Sequence, residues 1–180
     1  TLLLALSNPN GMVDQADAAK GIYLRQTTGD LILGNINAGS GTDGVLQLSA
    51  TGDIYAESQF TDRSAVHIVA TTFDVRAGGD IDFNGAGFQP LQVKVSGAIT
   101  GSAGGKISIL SPTSSMTIGA LSAVGALTLD TDVGGITING NVSAGGLLTL
   151  LANGGVAISA GTDAAPTTVS SSANGVTIIS

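Results

Sequence analysis

The chain has no cysteine and no tryptophan, and only two tyrosines and four phenylalanines among 180 residues. No disulfide can staple such a fold, and no thiolate can act as nucleophile or metal ligand. Aromatic rings supply much of the bulk of an ordinary core, so this core must be built from Val, Ile, Leu and Ala in thin layers. Charged residues make up 11% of the chain, against about 25% in an average soluble domain. Cations are the scarcer sign, with six Lys and Arg against thirteen Asp and Glu and a net charge of −7. Phosphate backbones are held by basic stripes, so nucleic acid is excluded as an expected partner. Long apolar runs are missing as well. The opening Leu2–Leu6 falls far short of the roughly 20 residues a helix needs to cross a bilayer. No transmembrane segment is therefore expected, and the opening also lacks the basic lead of a signal peptide. Glu57 is the only Glu, and the Asp residues sit in turn-like contexts, where a short carboxylate bonds nearby backbone.

What the chain does have is 27 glycines and a repeat. Leu127-Thr128-Leu129 followed by Gly134-Gly135-Ile136-Thr137-Ile138 is matched by Leu148-Thr149-Leu150 followed by Gly154-Gly155-Val156-Ala157-Ile158. The shifts are 21 and 20 residues, and Ile107-Ser108-Ile109 lies 20 before Leu127. Two further steps of 20 residues join Leu46 to Val66 and Val156 to Val176. Alternating triplets punctuated by Gly, Asn and Asp at such a period predict a solenoid of stacked short strands. The expected fold is all-β, a right-handed parallel β-helix with turns of about 20–21 residues, seven to nine in number; a β-sandwich is the competing architecture. Helical periodicity is nearly absent, apart from an Ala/Asp/Gln stretch at Asp14 to Lys20 that fits a helical turn. Residues 1–21 are expected to be an irregular lead-in and residues 22–180 the repeats. Phe83, Phe88 and Pro90 mark a loop or bulged turn, and residues 162–167 another loop. A chain that starts at Thr1 and stops on a strand pattern reads as a piece of something longer.

Asn8-Pro9-Asn10-Gly11-Met12, the Gly- and Asn-rich strand repeats and the acidic, cysteine-free composition together resemble the filamentous-haemagglutinin family. Its members are large bacterial exoproteins, many exported by two-partner secretion and built as right-handed parallel β-helices. The resemblance implies an extracellular, cell-surface location and a structural role as a segment of an adhesin, stalk or filament. A self-assembling sheath protein, or a carbohydrate-binding or carbohydrate-cleaving β-helix, are the other readings open. The partners expected are other copies of the chain or surface glycans.

Chemistry-bearing constellations are thin. Asp74, Asp80 and Asp82 with Arg76 and Lys94 form the one charged cluster that could gather on an outer face, where paired carboxylates can work on a glycoside. Gly78-Gly79-Asp80-Ile81-Asp82 is a partial match to calcium-binding nonapeptides but lacks the third glycine and a tandem copy. His67, the lone histidine, sits between Val66 and Ile68 and is expected to face solvent. Asp130, Asp132 and Asn153 are expected as an exposed acidic turn, and Asn141-Val142-Ser143 fits a glycosylation sequon. No residue is assigned as catalytic, cofactor-binding or metal-ligating, no cofactor is expected, and the chain is read as not an enzyme. Beyond Lys106 the only charges are Asp130, Asp132 and Asp163, so residues 107–180 present Ser, Thr, Asn and Ala outward. Free soluble domains carry both signs of charge, so this face points to packing or to hydroxyl-mediated contact.

Overall fold

The structure is a computed structural model that describes residues 1–8, 11–39, 41–57, 62–82, 90–159, 161–162 and 165–180. The described chain contains strands and no helix. Two long sheets, one of ten strands and one of nine, run side by side with parallel pairing throughout. Successive turns of chain stack on one another, giving a β-solenoid of about seven turns, the parallel β-helix expected from the repeat. The first sheet follows Leu2–Leu6, Ile22–Gln26, Val45–Ala50, Thr72–Ala77, Ala98–Ala103 and Met116–Ala123. It then divides at a bend, with Ile136–Ile138 and Val142–Ala144 both pairing with Met116–Ala123. The second sheet includes Gly11–Asp17, Leu31–Asn37, Leu91–Val95, Ile107–Ser111, Leu127–Thr131, Leu148–Ala152 and Val176–Ile179.

Strand alternation explains the core. Every second side chain points inward, and parallel register places like on like from turn to turn. One inward column runs Ile22, Leu46, Phe73, Ile99, Ile118 and Ile138, each 0% exposed. A facing column runs Leu31, Ile54, Ile81, Ile107, Leu127 and Leu148, none more than 1% exposed. Burying each such side chain contributes about 1.5–3 kcal/mol before entropy is charged against it. Near the edge where the first sheet hands the chain to the second, the column shrinks to Ala50, Ala77, Ala103, Ala123 and Ala144. From each of these alanines to the next inward Ile or Leu of the second sheet is four residues, in five successive turns.

That corner is held by glycine. Gly52, Gly79, Gly105, Gly125 and Gly146 each donate their N–H to the glycine one turn back, beginning at Gly29, at 2.8–3.0 Å. Each acidic corner residue reaches forward in the same way. Asp30 Oδ1 accepts from the Asp53 N–H at 2.8 Å, Asp53 Oδ1 from the Asp80 N–H at 2.7 Å, and Asp80 Oδ1 from the Lys106 N–H at 2.7 Å. A Cβ on Gly79 would lie 1.9 Å from Asp53 Oδ1, so the carboxylate occupies the space that only glycine leaves open.

Several expectations change here. Residues 1–21 are not irregular: Leu2–Leu6 pairs with Ile22–Gln26 and Gly11–Asp17 pairs with Leu31–Asn37, so they form the first turn. Asp14 lies in a strand rather than a helical turn. The 20-residue period holds from Ile107 to Leu127 and from Ile136 to Val156. It fails at Leu46, whose partner is Phe73 and not Val66, because extra chain lies between Ile54–Ala56 and Ile68–Ala70. It also fails at Val156 and Val176, which belong to different sheets; Val176 pairs with Leu148. Residues 162–167 are met by a short antiparallel pair, Gly161–Thr162 with Ala165–Pro166. Phe83 and Phe88 lie outside the described residues, as do Pro9 and Asn10 of the Asn-Pro-Asn-Gly turn and Asp163.

Candidate functional site

The charged cluster expected from the sequence is divided among three places. Asp80 belongs to the glycine corner, where Lys106 returns over it with Nζ 3.9 Å from Asp80 Oδ2 and in closer contact with Asp82 Oδ2. Its hydrogen bond to the Asp82 carboxylate, helped by the charges of Asp80 and Asp53, raises the Lys106 pKa above its ordinary value. An ammonium thus sits where the partial calcium motif would place a cation. Among the described residues no three His, Cys, Asp or Glu are grouped to hold a metal ion. Lys94 is on the outer face of the second sheet, in Leu91–Val95. Asp74 and Arg76 are on the outer face of the first sheet, in Thr72–Ala77, paired with each other at 3.3 Å.

His67 corrects a second expectation, because it is buried, at 2% exposure. Its register partner one turn on is Gln92, whose carbonyl accepts the His67 N–H at 3.2 Å, and the next is Leu110. Gln92 and Leu110 alternate away from the core and are nevertheless 0% exposed. The segment just before His67 explains part of this. Arg63 reaches from it to Asp130 at 2.6 Å and Asp132 at 2.9 Å, on a turn well beyond its own. Arg63, in the described end of the extra chain that broke the period at Leu46, is therefore tied to the outer face of the second sheet. Asp130 and Asp132 are anchors for Arg63, and Asn153 Nδ2 donates to the Asp132 carbonyl at 3.0 Å. The three do not form a free acidic turn.

Burial also lowers the His67 pKa, because the charged imidazolium loses hydration. The folded chain then binds fewer protons than the unfolded chain in the interval below the reference value of 6.5. Stability is complete above that value and falls as the pH drops toward the folded-state pKa. The thermal midpoint is expected to decrease between about pH 7 and about pH 5, and His67→Gln to flatten the decrease. An identical pH profile in the variant would assign the effect to other groups.

The outer face of the first sheet brings together residues that the sequence reading kept apart. Tyr23 pairs in register with Gln47, and Gln47 with Asp74; alongside, Arg25 pairs with Ser49 and Ser49 with Arg76. Leu3 stands opposite Tyr23 on the first turn. These side chains line an open groove of about 470 Å³. Alternation alone places Tyr23, Arg25, Gln47 and Ser49 outward. What the sequence lacked was the register, since the two steps are 24 and 27 residues rather than 20.

Toward the other end the outer faces carry hydroxyls in columns. Ser102, Ser122, Ser143 and Ser170 stack on the first sheet, and Thr128, Thr149 and Thr177 on the second. Within the sequon, Asn141 is exposed and its Oδ1 accepts the Thr168 N–H at 3.0 Å, so its side chain already ties one turn to the next. No helix among the described residues is long and apolar enough to cross a membrane. Compared with protein-family models, curated proteins and solved structures, the chain has no match.

Proposed function

We propose that this chain is a structural segment of an extracellular bacterial surface protein of the filamentous-haemagglutinin type, part of an adhesin, stalk or filament. The observation that supports this reading is the pair of parallel backbone ladders, one from Leu2–Leu6 to Val156–Ile158 and one from Gly11–Asp17 to Val176–Ile179, in which turn is bonded to turn along one axis. Such a stack is quasi-one-dimensional: it holds a fixed direction and offers long outer faces, and length is added by adding turns. The residues are spent on the ladder and its single core, and no step of bond-making chemistry is assigned to any of them. Antibody against the folded chain should label intact cells of the producing bacterium. Labelling that appears only after permeabilisation would overturn the reading.

A sheath that assembles side by side is favoured by one feature, the hydroxyl columns on both sheets beyond Lys106. Negative-stain images over a concentration series are expected to show bundles if this is correct, and Thr149→Arg to abolish them. Discrete particles at every concentration would remove the sheath and leave the single rod.

A further inference from the structure

We propose that the groove on the outer face of the first sheet binds an acidic oligosaccharide, a chain of sugars bearing carboxylates. The inference rests on the surface reading only for where such a glycan would be met; binding itself is a property of the isolated chain.

Charge is the first argument. The chain carries −7 overall and six cationic side chains, yet two of them, Arg25 and Arg76, stand in one outward column two turns apart. At one strand spacing per turn that is roughly 10 Å between their backbones, within reach of two long side chains closing on one ligand. Among the described residues no carboxylate forms an ion pair with Arg25, while Arg76 is paired only with Asp74 and keeps 69% of its side chain exposed. Guanidinium groups match carboxylates two hydrogen bonds at a time, which a lysine cannot do.

The neighbouring column supplies what a sugar ring needs. Tyr23 is half-buried with Leu3 beside it, giving an apolar platform with a hydroxyl at its rim. Ser49 lies between the two arginines and Gln47 between Tyr23 and Asp74, offering a hydroxyl and an amide to ring hydroxyls. Asp74 closes the groove, accepting a hydrogen bond from Thr100 Oγ1 at 3.3 Å. Three successive turns each contribute a pair of groups, Tyr23 with Arg25, Gln47 with Ser49 and Asp74 with Arg76, so a linear ligand lying along the axis can meet several of them in succession. Two cations on an acidic chain favour a ligand with spaced single charges. A nucleic acid, with a charge at every phosphate, would be repelled by the rest of the surface.

The test is calorimetric titration of the folded chain with oligogalacturonate and with its methyl-esterified form, which keeps the sugars and removes the charge. Saturable binding is expected for the acid form, weakening as salt is added. The ester is expected to bind at least tenfold more weakly, and Arg25→Gln to cost about tenfold, the loss of one charge-assisted pair. Tyr23→Ala should also weaken binding, and Thr149→Ala, far along the solenoid, should leave it unchanged. Thermal melts of each variant check that these exposed substitutions leave the fold intact. No saturable binding, equal binding of acid and ester, or unchanged affinity in Arg25→Gln would each overturn the proposal. Equal affinity for monomeric galacturonate would reduce the groove to a simple anion contact and overturn it too. Cell labelling tests the surface reading separately, so either can fail without the other.

Discussion

Gly101→Ala is expected to destabilise the solenoid by about 3 kcal/mol or more, combining backbone strain with overpacking. Gly101 lies in Ala98–Ala103, opposite an irregularity where Ile99 pairs with Ile118 but Gly101 pairs with Leu121, so the next strand carries one extra residue. Its φ is +153°, and a Cβ there would sit 1.9 Å from the Val75 carbonyl oxygen and 2.9 Å from its carbon. Those are backbone atoms in the adjacent turn and cannot rotate away, so the turns themselves must part. Two controls separate the causes. Gly155 has φ +97° with nothing within 4 Å, so alanine there should cost only the conformational strain, about 1–2 kcal/mol. Gly41 has neither a positive φ nor a near neighbour, and alanine there should be close to neutral. Urea unfolding of the three variants should rank them in that order. A Gly101→Ala midpoint no lower than that of Gly155→Ala would show that the turns yield freely and that close approach is not what glycine protects.

The second large effect is expected at Phe73, a fully buried aromatic side chain in a column otherwise made of Ile and Leu. Phe73→Ala should cost about 3–5 kcal/mol, because a cavity opens between Leu46 and Ile99 that their stiff neighbours fill poorly. Phe73→Leu should recover most of that loss. In a stacked repeat each turn touches only those beside it, so the damage should be local. Amide exchange is expected to quicken in Val45–Ala50 and Ala98–Ala103 while Leu127–Thr131 and Leu148–Ala152 stay protected. Uniform acceleration along the whole chain would mean that the solenoid opens as one cooperative unit.

Much of the fold could be read from the residues. Alternation in triplets such as Leu127-Thr128-Leu129 fixes which side chains face inward, and the 20–21-residue step gives the true register wherever turns carry no extra chain. What could not be read was how many residues each turn adds. The step from Leu46 passes Val66 and ends at Phe73, and nothing in a single sequence marks chain that loops out as distinct from chain that pairs. The same gap hid the groove. Tyr23, Gln47 and Asp74 were each legible as outward residues, but only backbone pairing makes them neighbours. His67 failed for a related reason. Alternation correctly turned it away from the core, but outward equals exposed only where nothing crosses the face, and the segment that holds Arg63 is tied to that face.

The constant four-residue step from Ala50, Ala77, Ala103, Ala123 and Ala144 to the opposite sheet makes one edge of the molecule a keel of fixed cross-section. At Gly52, Gly79 and Gly105 the carboxylates packed there leave no room for an added methyl group. Turn length varies elsewhere, as at Asn37 to Val45, Ala56 to Ile68, Ile81 to Leu91 and Ile158 to Val169. Insertions and new outer decoration can therefore accumulate on the sides away from the keel without bending the axis. A peptide grafted after Ala56 should leave the stack straight, and the same graft at Gly79 should break it.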